Sequence, residues 1–265
     1  MALFCGVDGC KAGWFAATLE QDSRGYRWVR GEVARGFRDV LELSRDCAAI
    51  AVDIPIGLSD CEHRICDMLA RRRLGARSSS VFPAPVRAVL AARSYEDANQ
   101  TSRQHSGKGL SKQSWAIVPK IADVDDAMSP AFQRRVIEVH PELCFWALNG
   151  SAPLANRKRS PEGASEREEL LSACLGGDIV QVALSRAGRG VAADDVLDSL
   201  AAAFTAGRSA AGQFERLPPD PPLDARGLRM EMIIPAWTDQ CHEAGARQVG
   251  MRCHCVPTTK QGRQL

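Results

Sequence analysis

The chain has 265 residues, 45% hydrophobic and 25% charged, with 22 glycines and 14 prolines, which excludes disordered, collagenous and small disulfide-framework classes. No run reaches the roughly eighteen uninterrupted apolar residues of a membrane span, and the ten cysteines are scattered, so no membrane contact and reduced thiols are expected. The net charge is only +2, but residues 68–122 hold ten Lys and Arg against two acids, which suits either a basic arm for an anionic partner or a solvated helix face.

In chain order, residues 1–7 are apolar but meet Asp8 without a basic leader, so they read as a strand rather than an export signal, and a cytoplasmic protein is expected. That strand, residues 3–8, ends at Gly6-Val-Asp-Gly9, and residues 14–19 and 26–33 complete an antiparallel meander. Phe37, Val40, Leu41 and Ser44 follow at helical spacing, and the apolar run 48–53 reads as a buried central strand. Strand-strand-strand-helix-strand, with the fourth strand parallel to the first, is the start of a ribonuclease H-like mixed α/β sheet flanked by helices.

A helix is expected over 59–74, capped by Ser59 or Asp60. Residues 75–120, rich in Ser, Gly, Pro and Arg, read as a long surface insertion, and the insertion as a whole is placed at about 59–130. A strand over 134–139 leads through Pro141 into a helix; further helices are expected over 166–174 and 194–208, then a short strand near 230–234. The ribonuclease H-like domain is bounded at 1–235, and 236–265 read as an irregular tail.

Asp8 and Asp53 each close an apolar strand, where a carboxylate is costly unless paired or metal-bound. Neighbouring strands would bring the two together; capping a turn is the plainer use of either alone. Gly6, Gly9 and Gly57 flank them and would let a metal or a phosphate approach. On the last long helix Asp194 suits the N-cap, while Asp195 and Asp198, three apart, share a face. A carboxylate from this helix laid against the two strand-end carboxylates would then form an oxygen-only cage for a hard cation, Mg²⁺ or Mn²⁺, of the kind that cleaves phosphodiesters. Glu138 is a possible further ligand, with His140 on its side of the strand.

Six stretches in order resemble one family: Gly6-Val-Asp-Gly-Cys-Lys-Ala-Gly-Trp14, Val52-Asp-Ile-Pro-Ile-Gly-Leu58, Ser79-Ser-Val-Phe-Pro-Ala-Pro85, Ser111-Lys-Gln113 with Pro119-Lys-Ile121, Glu138-Val-His-Pro-Glu142 and Asp194-Asp-Val-Leu-Asp198. The sequence is similar to domain of unknown function 429, described as predicted ribonuclease H-like nucleases. Similarity to that wider superfamily implies metal-ligand roles for Asp8, Asp53, Asp195 and Asp198. The leading expectation is a metal-dependent nuclease acting on DNA or RNA, with Asp8, Asp53 and Asp195 catalytic and with Lys112, Gln113, Lys120, Lys158 and Arg87 steadying phosphates. Two alternatives stand beside it: a phosphotransferase or ATPase of the actin and sugar-kinase type, using the glycine-flanked first hairpin as a phosphate cradle, and a non-catalytic nucleic-acid-binding module. Cys241-His242 and Cys253-His254-Cys255 in the tail raise a zinc alternative, although their spacing departs from paired finger patterns.

Overall fold

Alternation of apolar side chains over the first 34 residues builds a meander of β1 (Ala2–Cys10), β2 (Gly13–Asp22) and β3 (Gly25–Ala34), all antiparallel. In the computed structural model, which describes residues 1–236, α1 (Phe37–Leu43) then leads to β4 (Ala49–Val52), which lies parallel to β1. β5 (Val136–Glu138) adds parallel to β4, so the sheet order is β3-β2-β1-β4-β5. This is the ribonuclease H-like mixed sheet expected from the order of elements.

The period-2 alternation sorts residues onto two faces. Phe4, Ala49, Ala51 and Ile137 pack on one face with α8 (Ala193–Ala210), α6 (Pro161–Leu175) and α7 (Gly177–Ser185). Cys5, Val7, Ile50, Val52 and Val136 pack on the other with α1 and α4 (Lys112–Ala127). α8 lies directly across β1, β2 and β4, and its interior is Ala-rich, which lets it approach closely. α2 (Ile65–Leu74), α5 (Pro141–Leu148), β6 (Phe214–Leu217) and β7 (Met232–Pro235) form a smaller apolar cluster at one side.

Several local expectations are corrected. The helix expected over 59–74 begins only at Ile65, and Ser59 Oγ instead accepts the amides of Cys61 and Glu62 in a turn. Residues 75–120 are not mainly loop: α3 (Tyr95–Ser106) and the first half of α4 lie there. Their serines are N-caps, Ser94 accepting from Asp97 N at 3.1 Å and Ser111 from Ser114 N at 3.0 Å. Pro119 sits inside α4 on its exposed side. α6 starts five residues early because Ser160 caps it, and α7 and β6 were not anticipated. The cysteine- and histidine-containing tail lies outside the described residues.

Candidate functional site

Val7 pairs with Val52 in the parallel ladder, and Asp53 N continues it by donating to Val7 O at 3.0 Å. Asp8 and Asp53 are therefore neighbours; Asp53 directly follows β4, whereas Asp8 does not close its strand as expected, because β1 continues to Cys10 in its pairing with β2. Asp8 shares its parity with Phe4, and Asp53 with Ala49 and Ala51, so both belong to the face covered by α8. Gly6, two residues before Asp8, is the reason α8 can come this close: a Cβ there would lie 1.9 Å from Ser199 O and 2.2 Å from Ala203 N. The approach seats the first turns of α8, with Asp194, Asp195 and Asp198, over the strand ends.

Burial raises the cost of ionising all four aspartates, and for Asp8 and Asp198 neighbouring aspartates add to it. Asp8 is pushed well above the ordinary carboxylate range, by burial first and then by Asp53 and Asp198. Burial also raises Asp53 and Asp195, the first against the pull of His140 and Lys158. Asp198, 2% exposed, is pushed up to about 6 by burial, opposed by Lys158. Several oxygens already have partners: Asp8 Oδ1 accepts Gly9 N at 2.6 Å, and Asp195 Oδ2 accepts Ala192 N at 2.8 Å. That second bond makes Ala192 the N-cap, so Asp194 is not the cap; it faces Lys158 and Arg159 instead, each at 3.6 Å.

Two ammonium groups reach the cluster from opposite faces of the sheet. Lys158 Nζ is 2.9 Å from Asp198 Oδ2. Lys120, from α4, donates to Gly13 O and lies 4.4 Å over the Trp14 ring. Burial lowers its affinity for a proton, against the attraction of Cys10, Asp8 and Asp123. Trp14 is fixed in turn by Nε1 donating to Asp123 at 2.8 Å. Glu142, in the first turn of α5, pairs with the buried Arg167 of α6. His140 Nε2 lies 3.4 Å from Ser80 O, and its Nδ1 is buried without a hydrogen-bond partner.

Other predicted residues are placed elsewhere. Glu138 shares its parity with Val136, on the face opposite Asp8 and Asp53, and both its oxygens are bound to Arg64 at 2.7 and 2.8 Å. Ile56 N also donates to it at 2.6 Å, so Glu138 anchors the loop after Asp53 instead of joining the cage. Arg64, 2% exposed, is shared with Asp67 at 2.6 Å, a buried triad that spacing did not reveal. Arg87, expected on a phosphate, is held by Asp125 at 2.7 Å and by Asp224. Lys112 and Gln113 are exposed in the first turn of α4, about 12 Å along its axis from Lys120. The glycines do not leave an open cradle either: Gly6 meets α8, Gly9 meets Lys120, and Gly57 meets the backbone of Leu228 and Arg229. This filling counts against the first hairpin as a nucleotide-phosphate loop.

Among the described residues, no three His, Cys, Asp or Glu side chains stand at ready ligand spacing. The chemistry of the donors nevertheless fits a hard divalent cation: carboxylate oxygens only, with Asp8 and Asp198 buried and Asp53 and Asp195 half-buried, ionisation of Asp8 and Asp198 opposed by neighbouring aspartates, and an ammonium already on Asp198. No described helix is long and apolar enough to cross a membrane.

The family profile described as Protein of unknown function (DUF429) matches residues 6–223. Two solved structures of RuvC from Thermus thermophilus also match. One, in complex with a Holliday junction substrate, is 14% identical over 80% of this chain and 97% of that chain, with a TM-score of 0.34. The other is 13% identical over 79% and 96%, with a TM-score of 0.33. No curated protein matches the sequence.

Proposed function

The chain belongs to the DUF429 family, and we propose that it is a divalent-metal-dependent nuclease hydrolysing nucleic-acid phosphodiesters. What supports this reading is that the parallel register of β1 and β4 makes Asp8 and Asp53 neighbours on the sheet face covered by α8, which carries Asp195 and Asp198, and that Asp53, Asp198 and Asp195 each oppose the ionisation of Asp8. A packed interior gains nothing from four adjacent carboxylates; a cation-dependent site requires them.

Asp8, Asp53, Asp195 and Asp198 would hold Mg²⁺ or Mn²⁺. A cation bound there supplies Lewis-acid polarisation of a phosphoryl oxygen and a more acidic water. The chain's own groups prepare the site. The Gly9 and Ala192 amides fix one oxygen each of Asp8 and Asp195. Lys120 and Lys158 place positive charge beside the position that a phosphate would occupy. Five of the ten basic residues in 68–122, Arg71, Arg73, Arg77, Arg87 and Lys120, bind within the fold. Arg72, Arg93, Arg103, Lys108 and Lys112 remain exposed and supply the surface for a polyanionic strand.

The test is cleavage of branched, structured and single-stranded DNA and RNA with Mg²⁺ or Mn²⁺. Divalent-dependent cleavage is expected, abolished in Asp8→Asn and Asp53→Asn proteins that still fold. Undiminished activity in both variants, or salt-sensitive binding with no turnover of any substrate, removes the proposal.

A further inference from the structure

The stretch Ser79-Ser-Val-Phe-Pro-Ala-Pro85 supplies no carboxylate to the acidic cluster, yet the fold holds it firmly and turns an aromatic ring outward. Phe82 is 42% exposed, with Val81 and Ala84 buried on either side. Arg71 donates to Val81 O at 2.5 Å, and Ala84 N donates to Asp67 Oδ2 at 2.8 Å. Pro83 and Pro85 hold φ at about −65° and restrict the residues before them. Asp67 belongs to the buried triad with Arg64 and Glu138, and Glu138 also accepts Ile56 N from the loop after Asp53. One buried unit therefore fixes both the Phe82 segment and the Asp53 loop.

The surroundings of the ring are apolar and basic. Among the described residues seven large apolar side chains are exposed, and three of them, Ile65 at 45%, Met68 at 51% and Phe82, belong to α2 or to the segment bonded to it. The bonds from Asp67 and Arg71 lay residues 81–84 along the turn of α2 that carries Met68. Arg72 is exposed one turn beyond Met68. His63, in the approach to α2, is pushed below its ordinary range by burial, Lys108 and Arg71, against Asp67, so those two cations lie close by as well. The exposed acids nearest along the chain are Asp60 and Glu62, in the turn before α2. Apolar surface bordered by Arg71, Arg72 and Lys108 suits a polyanion that carries flat apolar faces, which is a nucleic-acid strand. The ring also stands close to the aspartates. Ser80 O lies 3.4 Å from His140 Nε2, and His140 draws on Asp53 against its burial. Phe82 is only two residues from Ser80, within about 7 Å along the chain. In a continuous duplex every base face is covered, so the ring can receive only a base that is unpaired or unstacked.

Resting on the nucleic-acid reading above, we infer that Phe82, together with Met68 on the adjacent turn of α2, is a stacking platform for an unpaired base, so that the substrate class is single-stranded or branched nucleic acid in preference to continuous duplex. Phe82 is a specificity-determining residue here. Every base has a face to offer, so the ring selects the structure of the strand and not its sequence. Because the segment is already held by Arg71 and Asp67, the ring loses little freedom on binding.

The experiment measures binding of the full chain by fluorescence anisotropy, in EDTA and again with Ca²⁺. Three labelled probes are used: a mixed-sequence single strand, the same strand with abasic positions, and its continuous duplex. The wild-type chain is expected to bind the base-bearing single strand most tightly. Phe82→Ala and Phe82→Leu should weaken that binding about 5- to 150-fold and change the abasic strand less than about twofold, while Phe82→Trp binds as wild type does. Equal wild-type affinity for the base-bearing and abasic strands, or a preference for the duplex, overturns the inference whether or not any variant folds. Unchanged binding in folded Phe82→Ala and Phe82→Leu proteins also overturns it. So does self-association of the wild-type chain that Phe82→Ala abolishes, which would make the patch a contact between copies. Base-dependent binding lost in Phe82→Ala, with no cleavage of any substrate by the wild-type chain, upholds the inference and removes the nuclease reading. Divalent-dependent cleavage with unaltered Phe82→Ala binding does the reverse, and a folded wild-type chain that binds no probe overturns both.

Discussion

Gly6→Ala tests whether the closeness of α8 to β1 is what assembles the site. The new Cβ would stand 1.9 Å from Ser199 O and 2.2 Å from Ala203 N, both backbone atoms of a packed helix. Relief to an ordinary contact requires α8 to retreat by about 1.5 Å. Overpacking of this kind costs about 1–3 kcal/mol, and the upper end is expected because neither neighbour is a side chain that can swing aside. The same movement lifts Asp195 and Asp198 from Asp8 and Asp53, so Mn²⁺ affinity should fall by at least about tenfold. Gly9→Ala is the control: its nearest neighbour, at 2.8 Å, is Cδ of the flexible Lys120, and about 1 kcal/mol or less is expected. Urea denaturation followed by circular dichroism gives the stabilities, and calorimetry the affinity. A Gly6→Ala protein within about 0.5 kcal/mol of wild type, with unchanged Mn²⁺ binding, would refute the packing argument.

Two further outcomes follow from the buried charges. Arg64→Met strands Asp67 and Glu138, 0% and 2% exposed, without their guanidinium, and should destabilise the fold by about 3–5 kcal/mol in urea melts. Adding Asp67→Asn and Glu138→Gln should recover part of that loss; no recovery would mean the charges are not its source. Asp198 keeps its proton to about pH 6 in the fold, against 3.8 unfolded, so its contribution to stability is complete below 3.8 and is lost as pH rises through 6. Asp198→Asn, which cannot ionise, should match wild type near pH 4 and exceed it by up to about 3 kcal/mol at pH 7.5 without divalent ions. A variant less stable than wild type at pH 7.5 would show that the Lys158 ion pair outweighs burial.

The sequence by itself determined the sheet and its acidic edge. Alternating apolar strands, a helical period after the third of them and a buried fourth strand leave few topologies, and parallel pairing then requires Asp8 and Asp53 to be neighbours. Spacing on one helix likewise put Asp195 and Asp198 on a common face. Those relations are local or follow from strand order, so periodicity carries them.

Only the tertiary structure decided which charges lie beside the aspartates and which hold the frame. Glu138 lies one residue from the parity that would have turned it toward the aspartates, and the opposite face supplied Arg64, 74 residues away in sequence. Arg87 met Asp224 across 137 residues, and Lys158 met Asp198 across 40. No spacing rule reaches such pairs, because a buried charge takes whichever partner the packed elements bring to it. Gly6 makes the same point from the backbone: its flank of Asp8 suggests room for a ligand, yet the space is filled by α8, whose arrival completes the cluster.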